Sequence, residues 1–233
     1  MLKIALFADG ANKDQMIRRY HEGTVAGFTT NPTLMAKAGI RDYAGFAREV
    51  LAVIRDRPIS FEVFSDEFGE MERQAGLIQS WGSNVNVKIP ITNTRGEPSL
   101  GLIRRLLDRK IKLNVTAVFT DEQLKSLREL ICPGDDCIVS IFAGRIADTG
   151  TDPMPIMKKA VRDFAGLAGA KILWASPREA LNIYQADACG CHIVTCTDDL
   201  LSKLPLHEKT LAEFSLDTVK MFHRDAAQAG FSL

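Results

Sequence analysis

The chain has 233 residues, of which 46% are hydrophobic, so it can bury a sizeable core within one domain over residues 1–233. Lysine plus arginine and aspartate plus glutamate both number 29, so composition gives no argument for nucleic acid or an anionic membrane as a partner. No apolar run reaches the ~20 residues of a membrane span, and the apolar part of "MLKIALFADG" is too short for a signal peptide, so we expect a cytoplasmic protein.

Short apolar runs alternate with amphipathic segments along the chain. In chain order, the predicted strands are "KIALFA" (3–8), "VAGFT" (25–29), "ISFEVF" (59–64), "VNVKIP" (85–90), "KLNVTAVF" (112–119), "CIVSIFAG" (137–144), "KILWAS" (171–176) and "CHIVTC" (191–196). Segments between them, such as "DYAGFAREVLAVIRD", carry apolar residues at the three- and four-residue spacing that is typical of helices. Eight repeats in this length predict an α/β protein, a closed (β/α)8 TIM barrel rather than a doubly wound sheet. The segment "DTVKMFHRDAAQAG" predicts an additional C-terminal helix.

The cysteines do not indicate a metal site. Their number, five, fits reduced thiols better than a disulfide framework. The segment "CGCHIVTC" offers three thiols and His192, but His192 lies inside "CHIVTC", which is predicted to be a strand, where alternate side chains face opposite ways and cannot all converge on one ion. We therefore expect buried structural thiols, with no metal and no cofactor.

Polar residues interrupt the apolar runs near the predicted strand ends. They are Asp9, Thr30, Asn31, Glu62, Lys88, Asn114, Thr116, Ser140, Arg145, Ser176 and Arg178. Active sites of such barrels lie at the C-terminal ends of the strands. A polar group buried without a partner costs roughly 1 to 3 kcal/mol, so we expect these side chains to have a function there.

Lys88, within "VNVKIP", is the strongest single candidate for a catalytic residue. An ammonium is strongly disfavoured on a buried strand, so a neutral amine could become available to attack a carbonyl carbon. The alternative is a lysine that extends from the strand end to solvent. Schiff-base chemistry also needs proton shuttles, and Asp9 and Glu62, at two other strand ends, are the candidates.

Seven motifs resemble the transaldolase family, which also contains the fructose-6-phosphate aldolases. In the family's order they are "FADGAN", "GFTTNPTLMAK", "SFEVF", "VKIP", "NVTAVFT", "SIFAGRIADTG" and "ASPRE". The resemblance runs nearly end to end. Several of the motifs are weak when taken singly, but seven in the same order are a strong signal.

The resemblance implies roles for the polar residues of the first five motifs. It makes Asp9 a catalytic aspartate, Lys88 the Schiff-base lysine and Glu62 the glutamate that acts with a catalytic water. It also implies that Asn114 and Thr116 contact substrate and water. No part of these assignments follows from spacing alone.

The loop "FTTNP" is predicted to be rigid, because Pro32 holds Asn31 extended and suits the first turn of a helix. On the local sequence alone, Asn31 is equally a helix N-cap or a group presented over the barrel mouth. The resemblance favours substrate contact for Asn31, with the hydroxyl of Thr29 or Thr30 beside it.

The last two motifs imply the remaining substrate contacts. Ser140 and Phe142 supply a serine and an aromatic ring, and Arg145 with Ser176 and Arg178 forms a clamp for a sugar phosphate. Two guanidinium groups and a hydroxyl suit a phosphate monoester, since each guanidinium offers bidentate donors.

The resemblance thus implies a class I, Schiff-base transaldolase of the pentose phosphate pathway that transfers a dihydroxyacetone unit between sugar phosphates. The alternatives are an aldolase that releases dihydroxyacetone and a non-catalytic sugar-phosphate-binding barrel. Within the resembled family, glutamate and phenylalanine at the positions of Glu62 and Phe142 accompany transfer, whereas glutamine and tyrosine accompany release. The resemblance also implies homo-oligomers, pentamers or decamers, in which the C-terminal helix packs on a neighbour.

Two segments depart from the family pattern. After the last strand the chain has "VTCTDDLL", so Asp198 and Asp199 are expected near the mouth, where they would disfavour an anionic substrate. Pro177, between Ser176 and Arg178, is expected to stiffen that loop and shift Arg178.

Overall fold

The computed structural model describes residues 2–231. Among these residues, eight parallel strands form a closed barrel in sequence order, and the last strand pairs with the first. The strands are β1 Ala5–Asp9, β2 Gly27–Thr29, β3 Ile59–Glu62, β4 Val85–Pro90, β5 Leu113–Val118, β6 Cys137–Ile141, β7 Ala170–Trp174 and β8 Ile193–Cys196. The predicted (β/α)8 barrel is confirmed.

Helices follow the strands around the barrel. They are α1 Lys13–Glu22, α2 Pro32–Lys37, α3 Tyr43–Val53, α4 Phe68–Gln79, α5 Leu100–Asp108, α6 Asp121–Leu130, α7 Ala143–Asp148, α8 Met154–Phe164, α9 Leu181–Ala188, α10 Asp198–Leu201 and α11 Leu211–Ala229, with a 3₁₀ turn at Leu204–Glu208. Several begin at a side-chain cap that satisfies free backbone N–H groups; Asn12 caps α1, and Thr120 caps α6 in a capping box.

Some predicted strands are longer than the observed ones. The segment 137–144 ends as a strand at Ile141, because Phe142 is already the N-cap of α7. The segment 191–196 begins as a strand only at Ile193. The Nδ1 atom of His192 accepts a hydrogen bond from the backbone N–H of Ile172, 3.0 Å away, so this imidazole belongs to the strand entry.

The main core lies between the barrel and its helices, and a second, smaller cluster fills the lumen. That cluster contains Phe7, Ile138, Leu173, Ala175 and Ile193. The ring of Phe7 crosses to β2, where a Cβ atom on Gly27 would lie 2.5 Å from it. Glycine is therefore required at this close approach.

Helix α11 is the predicted C-terminal helix, and it lies outside this packing. Within the described part of the chain, no residue of α11 is buried. Its apolar side chains face solvent, with Leu211 88% and Phe222 62% exposed. None of the helices within residues 2–231 has the length and apolar character needed to cross a membrane.

Candidate active site

A cavity of ≈ 440 Å³ opens at the C-terminal ends of the strands. Its lining includes Asp9, Asn31, Glu62, Lys88, Asn114, Thr116, Ser140, Phe142, Arg145, Ser176 and Arg178. These residues come from all parts of the sequence and meet because parallel strands end at the same face of the barrel. Thr30 does not belong to the lining: its side chain is fully buried, and its hydroxyl donates to the Ser60 carbonyl at 2.9 Å.

Lys88, which is buried, and Glu62, which is half-buried, form an ion pair in the cavity wall. They are register partners on the adjacent strands β3 and β4, and Lys88 Nζ lies 3.0 Å from Glu62 Oε2. The same Nζ donates to the Thr30 carbonyl at 2.9 Å. A buried ammonium needs such partners, since an unpaired charge is very costly there. Lys88 therefore does not extend to solvent, and the carboxylate beside it can receive its proton.

Asp9 lies on β1, next to two threonines. Thr29 Oγ1 donates to Asp9 Oδ1 at 2.7 Å, and Thr29 Oγ1 lies 2.5 Å from Thr195 Oγ1. Burial raises the pKa of the Asp9 carboxyl, while the charge of Lys88 and the Thr29 hydrogen bond oppose that rise. A carboxyl with a raised pKa is suited to exchange protons with a substrate hydroxyl.

A chain of hydrogen bonds orients the Asn114 amide. Ser140 Oγ donates to Asn114 Oδ1 at 2.7 Å, and Asn114 Nδ2 donates to Ser60 Oγ at 3.1 Å. All three residues are buried. Because both serines hold the amide, its orientation is settled and one Nδ2 hydrogen remains for a substrate oxygen.

Thr116 lies beside an irregularity in β5. The register with β6 shifts between Val115 and Val118, and Ala117 adopts a left-handed conformation with φ 59°. The Thr116 hydroxyl is buried in the cavity wall, and it has no hydrogen-bond partner among the residues that the structure describes. Such a hydroxyl is available to a substrate or a bound water.

Asn31 is a helix N-cap and also lines the cavity, so the two alternatives left open by its sequence do not exclude each other. It is the N-cap of α2, and its Oδ1 accepts a hydrogen bond from Leu34 N at 2.9 Å. Pro32 follows as the first helical residue. Because the cap uses Oδ1, the Nδ2 group is the part of the side chain left for a ligand in the cavity that Asn31 lines.

The two arginines lie on α7 and on the loop after β7, whose backbones are in close contact. A Cβ atom on Gly144 would lie 1.5 Å from the Ser176 carbonyl oxygen, so only glycine permits this contact. Ser176 itself is left-handed, with φ 57°. This packing brings the α7 residue Arg145 and the loop residue Arg178 to the same cavity wall.

The two arginines differ in their contacts. The Arg145 guanidinium lies over the Phe142 ring, 5.3 Å from its centre, and is exposed. Arg178 donates through Nε to Asp148 Oδ1 at 3.0 Å and through Nη2 to Asp148 Oδ2. Asp148 occupies Nε and Nη2, so the edge of the Arg178 guanidinium that carries Nη1 is left to bind an anion.

Comparisons with known proteins address the family. A family model described as transaldolase/fructose-6-phosphate aldolase matches residues 6–233. The chain belongs to this family. A protein of Listeria monocytogenes named "Probable transaldolase 2" is 36% identical over 216 residues, covering 91% of this chain and 94% of that protein. A "Probable transaldolase" of Thermoplasma acidophilum is 34% identical over 222 residues, covering 93% of this chain and 96% of its own length.

Solved structures support the fold of this transaldolase/fructose-6-phosphate aldolase family member. The crystal structure of KGPDC from Streptococcus mutans superimposes with a TM-score of 0.58 at 9% identity, covering 87% of this chain and 91% of that one. That of a 2,3-dimethylmalate lyase has a TM-score of 0.58 at 11% identity, covering 98% and 84%. At these identities the likeness concerns the barrel alone.

The acidic pair after β8 does not lie where the sequence placed it. Asp198 binds two arginines of α1, with Arg18 Nη2 at 2.8 Å and Arg19 Nε at 2.6 Å. Asp199 accepts a hydrogen bond from Thr197. Neither aspartate lines the cavity, so the expected acidic mouth is not formed by these residues.

Within residues 2–231, no group of three or more His, Cys, Asp and Glu side chains could hold a metal ion. No cysteine in that range forms a disulfide; Cys132 is exposed, and the others are buried. Burial raises the pKa of the Cys191 thiol to about 12. The buried cysteines therefore contribute packing rather than reactive thiolates, whereas the exposed Cys132 does not fit the expectation of buried structural thiols.

Sequence reasoning missed several residues of this family member's site. Ser60 was detectable, because it is two residues from Glu62 on a strand and so shares its face, and Thr195 was detectable as a polar residue within the predicted strand 191–196. Gly144 and Asp148 gave no such signal, since their roles depend on a loop of another βα unit.

Proposed function

We propose that this protein is a transaldolase that transfers a dihydroxyacetone unit from a ketose phosphate to an aldose phosphate through a Schiff base on Lys88. The pair of the buried Lys88 and the half-buried Glu62, with Nζ and Oε2 3.0 Å apart in the barrel mouth, carries the proposal. The family match and the names of the relatives support it. Placement in the pentose phosphate pathway and in the cytoplasm belongs to the same proposal.

The first step is attack on the ketose. The Lys88 ammonium loses a proton to a nearby base, for which Glu62 is best placed, and the Nζ lone pair adds to the C2 carbonyl carbon. The oxygen of the carbinolamine then leaves as water after protonation, which gives the iminium ion. Thr116, whose hydroxyl has no partner within the described chain, is suited to hold the water that relays these protons.

Cleavage follows at the C3–C4 bond. Asp9 removes the C4 hydroxyl proton, the C4 oxygen becomes an aldehyde, and the bonding electrons pass to the iminium to leave an enamine on Lys88. Asn31 and Asn114 orient the sugar hydroxyls. An acceptor aldehyde then takes the three-carbon unit by the reverse steps, and Asp9 returns its proton.

Arg145, Ser176 and Arg178 form the phosphate end of the proposed site. Arg145 has its guanidinium exposed beside the cavity, and Arg178 is oriented by Asp148. Charge-assisted hydrogen bonds from two guanidinium groups would place the distal phosphate and so fix the distance from it to Lys88.

Phe142 favours transfer over release. Its ring packs against Phe119, with centres 5.5 Å apart, and under Arg145. A phenylalanine has no hydroxyl to protonate the enamine, so the enamine persists until an aldehyde acceptor arrives. An aldolase that releases dihydroxyacetone is the alternative within the family, and a binding-only barrel would have no use for Asp9, Glu62 and Lys88 together.

The proposal includes self-association, as a pentamer or decamer. Helix α11 exposes apolar side chains such as Leu211, Val219 and Phe222, an unusual composition for a free helix. Light scattering should give an oligomer, and removal of residues after 209 should reduce its size. A monomer with α11 intact would contradict this part.

The deciding experiment mixes the enzyme with fructose 6-phosphate under borohydride and locates the adduct by mass spectrometry. A three-carbon adduct on Lys88 is expected. Without borohydride, transfer to erythrose 4-phosphate or glyceraldehyde 3-phosphate should exceed release of free dihydroxyacetone, and Phe142→Tyr should shift the balance toward release. Equal release without an acceptor would replace transaldolase by aldolase, and absence of any adduct or turnover would leave only binding.

A further inference from the structure

Two threonine hydroxyls connect Asp9 to the strands on either side of it. Strand β1 lies between β2 and β8, with Asp9 in register with Thr29 and Phe7 in register with Thr195. Inside the lumen, Thr195 Oγ1 lies 2.5 Å from Thr29 Oγ1, which lies 2.7 Å from Asp9 Oδ1. Thr29 and Thr195 are only 2% and 5% exposed, so they form a buried chain that ends on the carboxyl.

The direction of this chain follows from its protons. An ionised carboxylate only accepts hydrogen bonds, so the single hydroxyl proton of Thr29 is donated to Asp9. The contact between the two threonines then requires Thr195 to donate to Thr29. Both hydroxyls are polarised toward the carboxylate, and hydrogen bonds in such chains strengthen one another.

The chain also suits the protonated carboxyl. If Asp9 carries a proton on Oδ1, it donates to Thr29, Thr29 donates to Thr195, and the Thr195 proton turns toward the cavity that this residue lines. Only hydroxyl hydrogens rotate between the two arrangements. Asp9 Oδ1 thus keeps a partner in both states.

We propose that Thr195 is a positioning residue for the reaction, which acts through Thr29 to hold Asp9 and to let it accept and return a proton without moving. This inference rests on the proposed function, because it takes Asp9 as the group that exchanges the C4 hydroxyl proton. No sequence motif assigned a role to Thr195.

Other ionisable groups also face Asp9. Lys88 and Glu62 lie across the lumen and influence its charge, and Cys196 is on the neighbouring strand. Arg19 and Asp198 line a small cavity beside Asp9 and are paired with each other at 2.6 Å. None of these groups contacts the Thr195 hydroxyl in the described structure, so a change at Thr195 alters the threonine chain while leaving their charges in place.

The test is the variant Thr195→Val, which keeps the side-chain shape and removes the hydroxyl. The ionised form of Asp9 loses the polarised donor behind Thr29, so the pKa of Asp9 should rise. The acid limb of the kcat profile should move to higher pH, and kcat at the optimum should fall by about tenfold. Thr195→Ser should restore both, because it restores the hydroxyl.

Infrared difference spectroscopy on labelled aspartate follows the Asp9 carboxyl directly, with Asp9→Asn to identify its band. Thr197→Val, a matched change two residues further along the chain that removes a hydroxyl bonded to Asp199, should leave the titration unchanged. Thr29→Val tests the chain from its other end and should raise the pKa of Asp9 further, which keeps the proposal testable if Thr195→Val does not fold.

The outcomes separate the two proposals. If the wild-type enzyme forms no adduct on Lys88, the proposed function fails, while the infrared titration still tests the chain. If the adduct forms but Thr195→Val titrates and turns over as the wild type does, or Thr195→Ser fails to rescue, the threonine chain has no such role.

Discussion

Two layers of the barrel lumen, one strand period apart, contrast sharply. The paired positions, lower then upper, are Phe7 and Asp9, Asn86 and Lys88, Ile138 and Ser140, and Ile193 and Thr195. Each pair shares a face of its strand, because side chains alternate with a period of two. The lower layer is mostly apolar and closes the lumen, whereas the upper layer is polar and lines the cavity. The barrel thus supports the site with packing directly beneath it.

The layers differ in the free-energy change that accompanies burial of their side chains. An apolar lower layer stabilises the fold by burial alone. Burial of the polar groups above is unfavourable unless they pair with one another. Lys88 forms an ion pair with Glu62, and Ser140 donates a hydrogen bond to Asn114. We therefore expect changes in the upper layer to affect catalysis more than stability, and changes in the lower layer to do the reverse.

The largest effect should come from Lys88→Ala. Loss of the nucleophile should abolish the borohydride adduct and lower kcat by about 10⁴-fold or more. The control is Lys171→Ala, a lysine of β7 with an exposed side chain. Full turnover in Lys88→Ala, or trapping at another lysine, would show that the polar layer has a different function.

Phe7→Ala should break the lower layer. Removal of a buried ring from the lumen should reduce the free energy of unfolding by about 3–5 kcal/mol. Phe64→Ala, at a ring that is 64% exposed, should cost far less. Denaturant titration measures both, and the adduct on Lys88 should still form in folded Phe7→Ala. Equal losses for the two variants would remove the contrast between the layers.

Arg145→Ala and Arg178→Ala test the rim above the polar layer. Each should raise KM for phosphorylated ketoses by an amount equivalent to about 1.5–3 kcal/mol, because a charge-assisted contact is lost. Formation of the adduct with dihydroxyacetone should be spared. Arg162→Ala, on the exposed side of α8, is the matched control. An unchanged preference between phosphorylated and unphosphorylated sugars would make that arginine structural.

Asp9→Asn should abolish turnover, because the proton acceptor is lost, but its effect on stability should be the smallest of this series and should be a gain. Burial raises the pKa of Asp9 above its ordinary value of 3.8, so the folded state binds the proton more tightly than the unfolded state. The wild type therefore loses stability as pH rises from the ordinary value through the folded pKa. The variant lacks this loss, so its Tm should exceed that of the wild type at neutral pH but not below pH 3.8. A difference in Tm between variant and wild type that does not change with pH would contradict the expected effect of the Asp9 pKa on stability.

Much of the fold, and the gathering of polar residues at one end of the barrel, was predictable from local patterns. The alternation of strands and helices gave the barrel, since apolar periodicity is a property of neighbouring residues. It also placed Asp9, Glu62 and Lys88 at strand ends, and parallel strands bring their ends to one face. The ends of strands were less predictable, as at Phe142, because a side chain that continues the pattern can already belong to the next helix.

What the sequence by itself determined was therefore the order of strands and which chemical groups reach the mouth. Only the tertiary structure decided how those groups are paired. Thr30 is buried behind the site, Arg178 is held by Asp148, Asp198 is turned to Arg19, and Thr195 meets Thr29. Each of these contacts joins residues from different βα units, and its geometry depends on the closure of the barrel. Hydrogen bonds act over about 3 Å, a distance that no local pattern specifies.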